Sequence, residues 1–509
     1  MGIGKLFKSS GTPVASAPAT TAGQPPSQRQ IYHSRFNHGP NLGGMFVAEK
    51  WISDELFGEK AKGTSELDAV SSYVKQHGKG EAKSKYEDHW KNWVKDDDWK
   101  WMRDHGVTAV RAPIGYWMVD GGKFTKHTPF DKYVSVYENA WSIFKEYVIK
   151  KAGTFGIGVL VDLHGLPGGA NGQDHSGTTS GKAELWDSSR YESLALDTLQ
   201  FIAQDMKPFD NVCAIQVLNE APWDSSEGKV SKTHSSFYLK ALEKIREVNP
   251  DVPVVISDGW DLGNWVEWVK KKESKLGSKE DPQTMGIIID THVYKCFSDA
   301  DKQKAPGQLL GDVDNAVVQT EDADIQVGEF SCVMDGQSWD KHQGPPREQV
   351  VCDYGQKQMW HFYYRASAGA YFWTYKFEHG RGGEWDFREM TDKGGLANFR
   401  PQHGKNSDML KRDLDGHLQR ELGAHSNYWK GVDSNKDWED WRYQEGFMQG
   451  WNDAAAFDSF DHSELGRLHA WAKSRLSEHI KAKGYSDNVW VYEHGLRKGV
   501  QCYSASIRS

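Results

Sequence analysis

From Gly39 onward, short apolar runs alternate with longer amphipathic stretches. The runs are Leu42–Ala48, Val107–Ala112, Ile157–Leu163, Val212–Leu218, Val252–Ser257, Gly286–His292, Ile325–Phe330 and Ala368–Tyr375, and their length predicts buried strands. Between most of them lie segments with helical apolar spacing, such as Tyr137, Trp141, Phe144 and Val148, or Leu194, Leu196, Leu199 and Ile202. Strands that alternate with helices pair in parallel, and eight such units predict an α/β fold, a (β/α)8 TIM barrel. The rival is a doubly wound sheet, but no glycine-rich phosphate loop follows the first run. Gly153-x-x-Gly156-x-Gly158 precedes a run instead, the wrong context for a nucleotide site.

The ends of the chain depart from this pattern. Residues 9 to 30 are mostly Ser, Thr, Pro, Ala, Gly and Gln, so residues 1–30 are expected to form a disordered tail. The barrel is assigned to 31–402. Beyond it the apolar spacing turns helical throughout, with Trp438, Trp441, Met448 and Trp451 on one predicted face and Leu465, Leu468, Ala472 and Leu476 on another. Residues 403–509 are therefore expected to be a helical C-terminal extension packed on the barrel.

Composition narrows the function classes. The mean hydropathy is −0.71, and no run of about 18 apolar residues exists to form a transmembrane helix. The 62 basic and 71 acidic residues are interspersed and give a net charge of −9, without the basic stripe of a nucleic-acid binder. Aromatic residues are 12% of the chain, including 22 Trp, which suits a cleft that stacks on flat ligands. The five cysteines are too few and too scattered for a disulfide scaffold, and no CxxC pair suggests structural zinc. The first eight residues lack the apolar core of a secretory signal, Leu6 stands where a myristoylation motif wants Ser or Thr, and no N-x-Ser/Thr sequon occurs. These features together predict a cytoplasmic location.

In a barrel of this type the chemistry gathers at the C-terminal ends of the strands. The second run ends in Arg111, the third in Asp162-Leu163-His164, the fourth in Asn219-Glu220, the sixth in His292-x-Tyr294, the seventh in Glu329 and the eighth in Trp373. Any one of these residues alone is more often structural. Six strand ends carrying such groups in one chain are hard to explain that way. Two glutamates across one barrel mouth fit glycoside hydrolysis, which needs one carboxylic acid at the leaving oxygen and one carboxylate at the anomeric carbon. Arg111 and Tyr294 can donate to Glu329, His164 and His292 can serve around the two glutamates, and Asn219 can bind a sugar hydroxyl. Trp373 offers a face to a sugar ring.

The segments NLGGMFVAEKWI (41–52), VRAPIGYW (110–117), DLHGLPGGANGQDHSG (162–177), LNEAPW (218–223), DTHVY (290–294), VGEFS (327–331) and FWTYK (372–376) resemble glycoside hydrolase family 5, in its fungal exo-β-1,3-glucanase-like branch. They span about residues 39–402. The resemblance implies Glu220 as acid/base and Glu329 as nucleophile, with Arg111, His164, Asn219, His292, Tyr294 and Trp373 around them. It also implies Glu49 as a sugar-binding residue at the non-reducing end, Asn171 and Asp174 in the loop that shapes the pocket, and no metal or organic cofactor. His175 is read as a loop residue. The branch has Phe where Gln173 stands; Trp260 is expected to supply the opposite aromatic wall beyond the scissile bond.

The resulting expectation is a retaining β-glycosidase that cleaves β-glucosides from the non-reducing end, with a carbohydrate as its partner and Glu220 kept protonated by burial or by its neighbour's charge. Its rivals are a β-glucosidase for a glucosylated lipid or sterol, a transglycosylase using the same covalent intermediate, and a non-catalytic carbohydrate-binding protein on the same fold.

Overall fold

A computed structural model describes residues 13–226, 228–396 and 407–508. Eight strands form one wholly parallel sheet: β1 Asn37–Pro40, β2 Ala109–Gly115, β3 Gly158–Gly165, β4 Val212–Gln216, β5 Val254–Ser257, β6 Ile287–Lys295, β7 Asp324–Met334 and β8 Gly369–Phe372. Each pairs with its neighbour in sequence, and β1 pairs with β8. The remaining seam between β1 and β2 is closed by hydrogen bonds from Thr108 N–H to His38 O (2.9 Å) and from Leu42 N–H to Arg111 O (2.8 Å). This is the expected barrel. Its strands are buried on both faces because helices cover the outside, which is why they read as unbroken apolar runs.

Seven of the eight predicted strands are found, with shifted limits. The first run is misplaced. Leu42–Ala48 forms no strand; β1 lies just before it, over Asn37–Pro40, and the apolar residues of the run are buried in the connection above the barrel. β1 was hidden because its own residues, Asn-His-Gly-Pro, carry no apolar signal, although all four are buried. β2 runs on past Arg111 to Gly115 and β7 past Glu329 to Met334, so both side chains project from within strands.

The tail differs from expectation. Residues 1–12 lie outside the described residues, but from Pro13 the segment is fixed. Ser16 N–H donates to Thr284 O and Ala17 N–H to Pro250 O. Thr20 is buried against Ser474, and Ser27 caps the helix Gln28–Ser34 with a capping box. Backbone hydrogen bonds to the barrel base add to the few apolar contacts of the segment, such as Ala19 on the extension's core.

The extension comprises helices Ser407–Val432, Asp440–Asp458, Leu468–Lys483 and Trp490–Arg508; the expected boundary at 402/403 falls outside the described residues. It seats on the N-terminal ends of the strands. Gly466 N–H donates to Ser34 O (2.9 Å), Arg467 pairs with Asp324 at the start of β7 (3.3 Å), and His469 with Glu273 (2.7 Å). The buried face of Asp440–Asp458 is Tyr443, Gly446, Phe447, Gly450, Trp451 and Ala454, which keeps only Trp451 of the predicted stripe: Trp438 precedes the helix, Trp441 is exposed and Met448 is half-buried. The face follows glycine because this helix crosses Trp490–Arg508 at backbone contact. A Cβ on Gly446, Gly450, Gly495 or Gly499 would fall 2.0 to 2.2 Å from a carbonyl oxygen of the opposing helix.

Candidate active site

The site begins with Arg111, which is fully buried and saturates its guanidinium. Nε donates to Gln216 Oε1 (2.9 Å), Nη1 to Asn41 Oδ1 (2.8 Å) and Glu329 Oε1 (2.9 Å), and Nη2 to Asn219 Oδ1 (2.7 Å). Nη2 also lies 3.0 Å from Asp162 Oδ2. One cation from β2 thus orients residues of β3, β4 and β7. Burial works against its charge, but Asp162, Glu329 and Asp290 outweigh it and hold the guanidinium more firmly protonated than usual.

Glu329 receives a second donor, the Tyr294 hydroxyl at 2.7 Å. His292 is paired with Glu329 in the β6–β7 ladder, where the register shifts in the stretches flanking both residues. Such bulges re-aim side chains. Gly328 is required at this point, because a Cβ there would lie 2.2 Å from Asp290 Oδ1.

Glu220 follows β4 in the left-handed region, at φ 46°. That conformation strains a non-glycine residue; the Asn171 amide, which donates to Glu220 O at 3.1 Å, helps to hold it. Two histidines meet its carboxylate. His292 Nδ1 is 2.8 Å from Oε1, and His175 Nε2 is 3.3 Å from Oε2. Burial pushes the Glu220 carboxyl up, yet the two histidines outweigh it and hold it well below the usual carboxylate range. The expectation of a raised value is therefore reversed. Conversely, burial disfavours the charge on His292, but Glu329, Asp290 and Glu220 hold it well above the ordinary histidine value. His164 is pushed down by burial despite Asp162 at 2.7 Å from Nδ1.

Above these groups opens a cavity of about 800 Å³ lined by Glu49, His164, Asn171, Asn219, Glu220, Trp260, Tyr294, Glu329 and Trp373, among others. Trp373 is 5% exposed and lies nearly parallel to the His164 ring, with centroids 6.0 Å apart. Trp260 stands on the rim, half exposed, its backbone N–H bonded to Asp258 Oδ1 (2.9 Å). Glu49 accepts from Trp51 Nε1 (2.9 Å), and burial raises its carboxyl to about 7.

Of the residues expected from sequence, Arg111 and His292 lie just beneath the cavity and support the glutamates. Asp174 does not line the cavity; it accepts a hydrogen bond from Thr64 Oγ1 behind the loop, because its neighbours Gln173 and His175 take the inner positions. His175 is on the loop, as expected, and from there lines the cavity. Gln173 lines the cavity too, with its backbone N–H on Asn171 Oδ1. Trp51, Phe297 and Trp385 complete the aromatic rim and were not foreseen. Trp51 lay in a quoted motif, whereas Phe297 and Trp385 sit on connections with no periodic signal. Gln216, Asn41 and Asp290, which bind Arg111 or His292, were also missed because apolar patterning does not register a buried polar network. Among the described residues, Glu220, His292 and Glu329 form one group whose donor atoms lie within 4.8 Å of one another, and so could ligate a cation. His292, however, already bridges the two carboxylates.

Comparison with known proteins agrees with this geometry. Residues 74–379 match the family model for cellulase (glycosyl hydrolase family 5), and residues 411–507 match the C-terminal domain of glucan 1,3-beta-glucosidase 3. An uncharacterized glycosyl hydrolase of Saccharomyces cerevisiae is 39% identical over 92% of this chain and 91% of its own length. Glucan 1,3-beta-glucosidase 3 of Schizosaccharomyces pombe is 35% identical over 92% of this chain and 95% of its own. The crystal structure of rutinosidase from Aspergillus niger shares the fold, with a TM-score of 0.55 at 16% identity, covering 72% of this chain and 99% of that one.

Proposed function

The chain belongs to glycoside hydrolase family 5 and is a glycoside hydrolase; on that premise we propose that it cleaves β-glucosidic bonds of glucans from the non-reducing end, with retention, through Glu329 and Glu220. The observation that carries this reading is the pairing of the two carboxylates. An oxygen of each lies within a cluster whose donor atoms are all within 4.8 Å of one another. That supports the retaining separation of about 5–5.5 Å, not the 6.5–9.5 Å or so that leaves room for an inverting water.

Glu329, aimed by Arg111 and Tyr294, attacks the anomeric carbon. The glycosidic bond breaks, and the leaving oxygen takes a proton from Glu220. Glu220 then removes a proton from water, which attacks the glycosyl–enzyme ester and releases Glu329. Asn219, held by Arg111, is set to bind the hydroxyl next to the reacting carbon, and Trp373 to support the ring. Glu49 is placed to accept hydrogen bonds from the terminal sugar. The free thiols of all five cysteines support a reducing, cytosolic setting.

The test is an aryl β-glucoside assay with Glu329→Gln, read together with the anomer first released by the wild-type enzyme, followed by proton NMR. Near-complete loss of turnover and initial release of the β-anomer are expected. Normal turnover in the variant, or release of the α-anomer, would refute the assignment.

A second reading keeps the chemistry and changes the aglycone to an apolar lipid or sterol. The rim favours it: Trp51, Trp260 and Phe297 are 49%, 52% and 62% exposed, a large apolar surface at the mouth of the cavity. Comparing kcat/KM for laminari-oligosaccharides and for a glucosyl-lipid in detergent decides between them.

A further inference from the structure

We propose that His175 and Glu220 share one proton across the Nε2–Oε2 contact, and that this is the proton delivered to the leaving oxygen. The inference rests on the acid/base role of Glu220 given above.

The two oxygens of Glu220 have different surroundings. Oε1 faces His292, whose side chain is almost wholly buried, at 4% exposure. Oε2 faces His175, whose side chain is 23% exposed and lines the cavity. Oε2 is thus the oxygen beside the more exposed histidine, the one that lines the cavity. The other ring nitrogen, Nδ1, is buried and has no hydrogen-bond partner among the described residues. No second hydrogen bond therefore anchors the cation, and a proton can pass from Nε2 to Oε2 along the existing contact without breaking another bond.

The groups facing His175 favour a proton in this pair. Burial opposes the imidazolium, but Glu220, Glu49 and Glu329 outweigh it and lift His175 to about 9. His164, with its ring 5.1 Å away, is the neighbouring base and is pushed down by burial and by the charge on His175. The pair therefore holds its proton across neutral pH although Glu220 alone would not. In the first step the proton leaves Oε2 for the departing oxygen as the C–O bond breaks and Glu329 bonds to carbon. In the second step the attacking water returns a proton to Oε2, and the pair is restored.

His175→Asn keeps a side chain of similar reach but removes the titrating site. For a β-glucoside with an alkyl or sugar leaving group, kcat/KM is expected to fall about 10-fold or more at pH 8 and by no more than about 3-fold at pH 5, with the basic limb of the profile at least about one unit lower. A 2,4-dinitrophenyl β-glucoside needs no protonation, so its rate-limiting glycosylation is expected to change by less than about 3-fold at either pH. An unchanged basic limb, or equal losses for both leaving groups, would overturn the proposal and leave His175 a structural residue.

A second readout needs no turnover. Nitrogen-15 NMR of the His175 ring, assigned by its absence in the variant, is expected to report an imidazolium at pH 7.5 in the wild type and a mostly neutral ring in Glu220→Gln. A neutral ring in the wild type would equally overturn the proposal. Failure of the wild type on every β-glucoside would instead defeat the function proposed above, and the ring titration would stand apart from it.

Discussion

Glu66 is a buried carboxylate that carries the loop leading to Glu49, and replacing it by glutamine tests whether that loop is held by a charge. It is 2% exposed. Oε2 accepts the Ala48 backbone N–H at 2.6 Å and Oε1 the Tyr137 hydroxyl at 2.5 Å. Burial raises its carboxyl from 4.5 to about 7, against the opposing pull of those two donors. A folded value above the unfolded one means that the folded state binds the extra proton between the two, so stability falls as pH rises from about 4.5 to 7. At about 1.4 kcal/mol per unit, the ionised side chain costs roughly 3 kcal/mol above pH 8. Glu66→Gln removes that cost but can accept only one of the two hydrogen bonds with its single carbonyl, a loss of about 1 kcal/mol. The variant is therefore expected to be more stable than wild type by about 2 kcal/mol at pH 8.5 and less stable by about 1 kcal/mol at pH 4.5. Urea unfolding of both proteins at the two pH values measures the difference. A stability difference that does not change with pH would refute the reasoning, because it would mean that Glu66 is not ionised at a cost in the folded protein.

Three further outcomes follow from the same contacts. Arg111→Lys keeps the charge but loses the fork that reaches Gln216, Asn41, Glu329 and Asn219, so kcat is expected to fall about 100-fold or more with the protein still folded, read by steady-state kinetics beside circular dichroism. Trp260→Ala removes a half-exposed aromatic wall and keeps the backbone N–H bond to Asp258; KM for oligosaccharides is expected to rise by roughly 5- to 10-fold, with little change for an aryl glucoside. Asp324→Asn leaves Arg467 without its ion-pair partner at the barrel base, which is expected to cost about 3 kcal/mol in unfolding free energy while kcat stays unchanged, since the contact lies at the opposite end of the barrel from the site.

The motif set led to two glutamates that the fold brings close together, because strand ends in this fold are where reacting groups sit, and chain order preserves that arrangement. The same reasoning did not place His175 against Glu220, and it expected a raised Glu220 carboxyl where the two histidines hold it down. Residues 173–175 lie on a loop without periodicity, and only the three-dimensional path turns His175 inward and Asp174 outward. The proton balance of Glu220 depends on which atoms point at it, namely His292 on one oxygen and His175 on the other. β1 was missed because its burial comes from its neighbours, not from its own side chains.

By itself, then, the sequence determined the alternation of strands and helices, the parallel barrel and the two carboxylates, because apolar periodicity and residue identity are local properties of the chain. Only the tertiary structure decided where the tail docks, how the glycine-lined helices of the extension cross, and which histidines meet the Glu220 carboxylate. Each of those depends on distances between segments remote in the chain, where electrostatics and close packing act through space and leave no mark on local spacing.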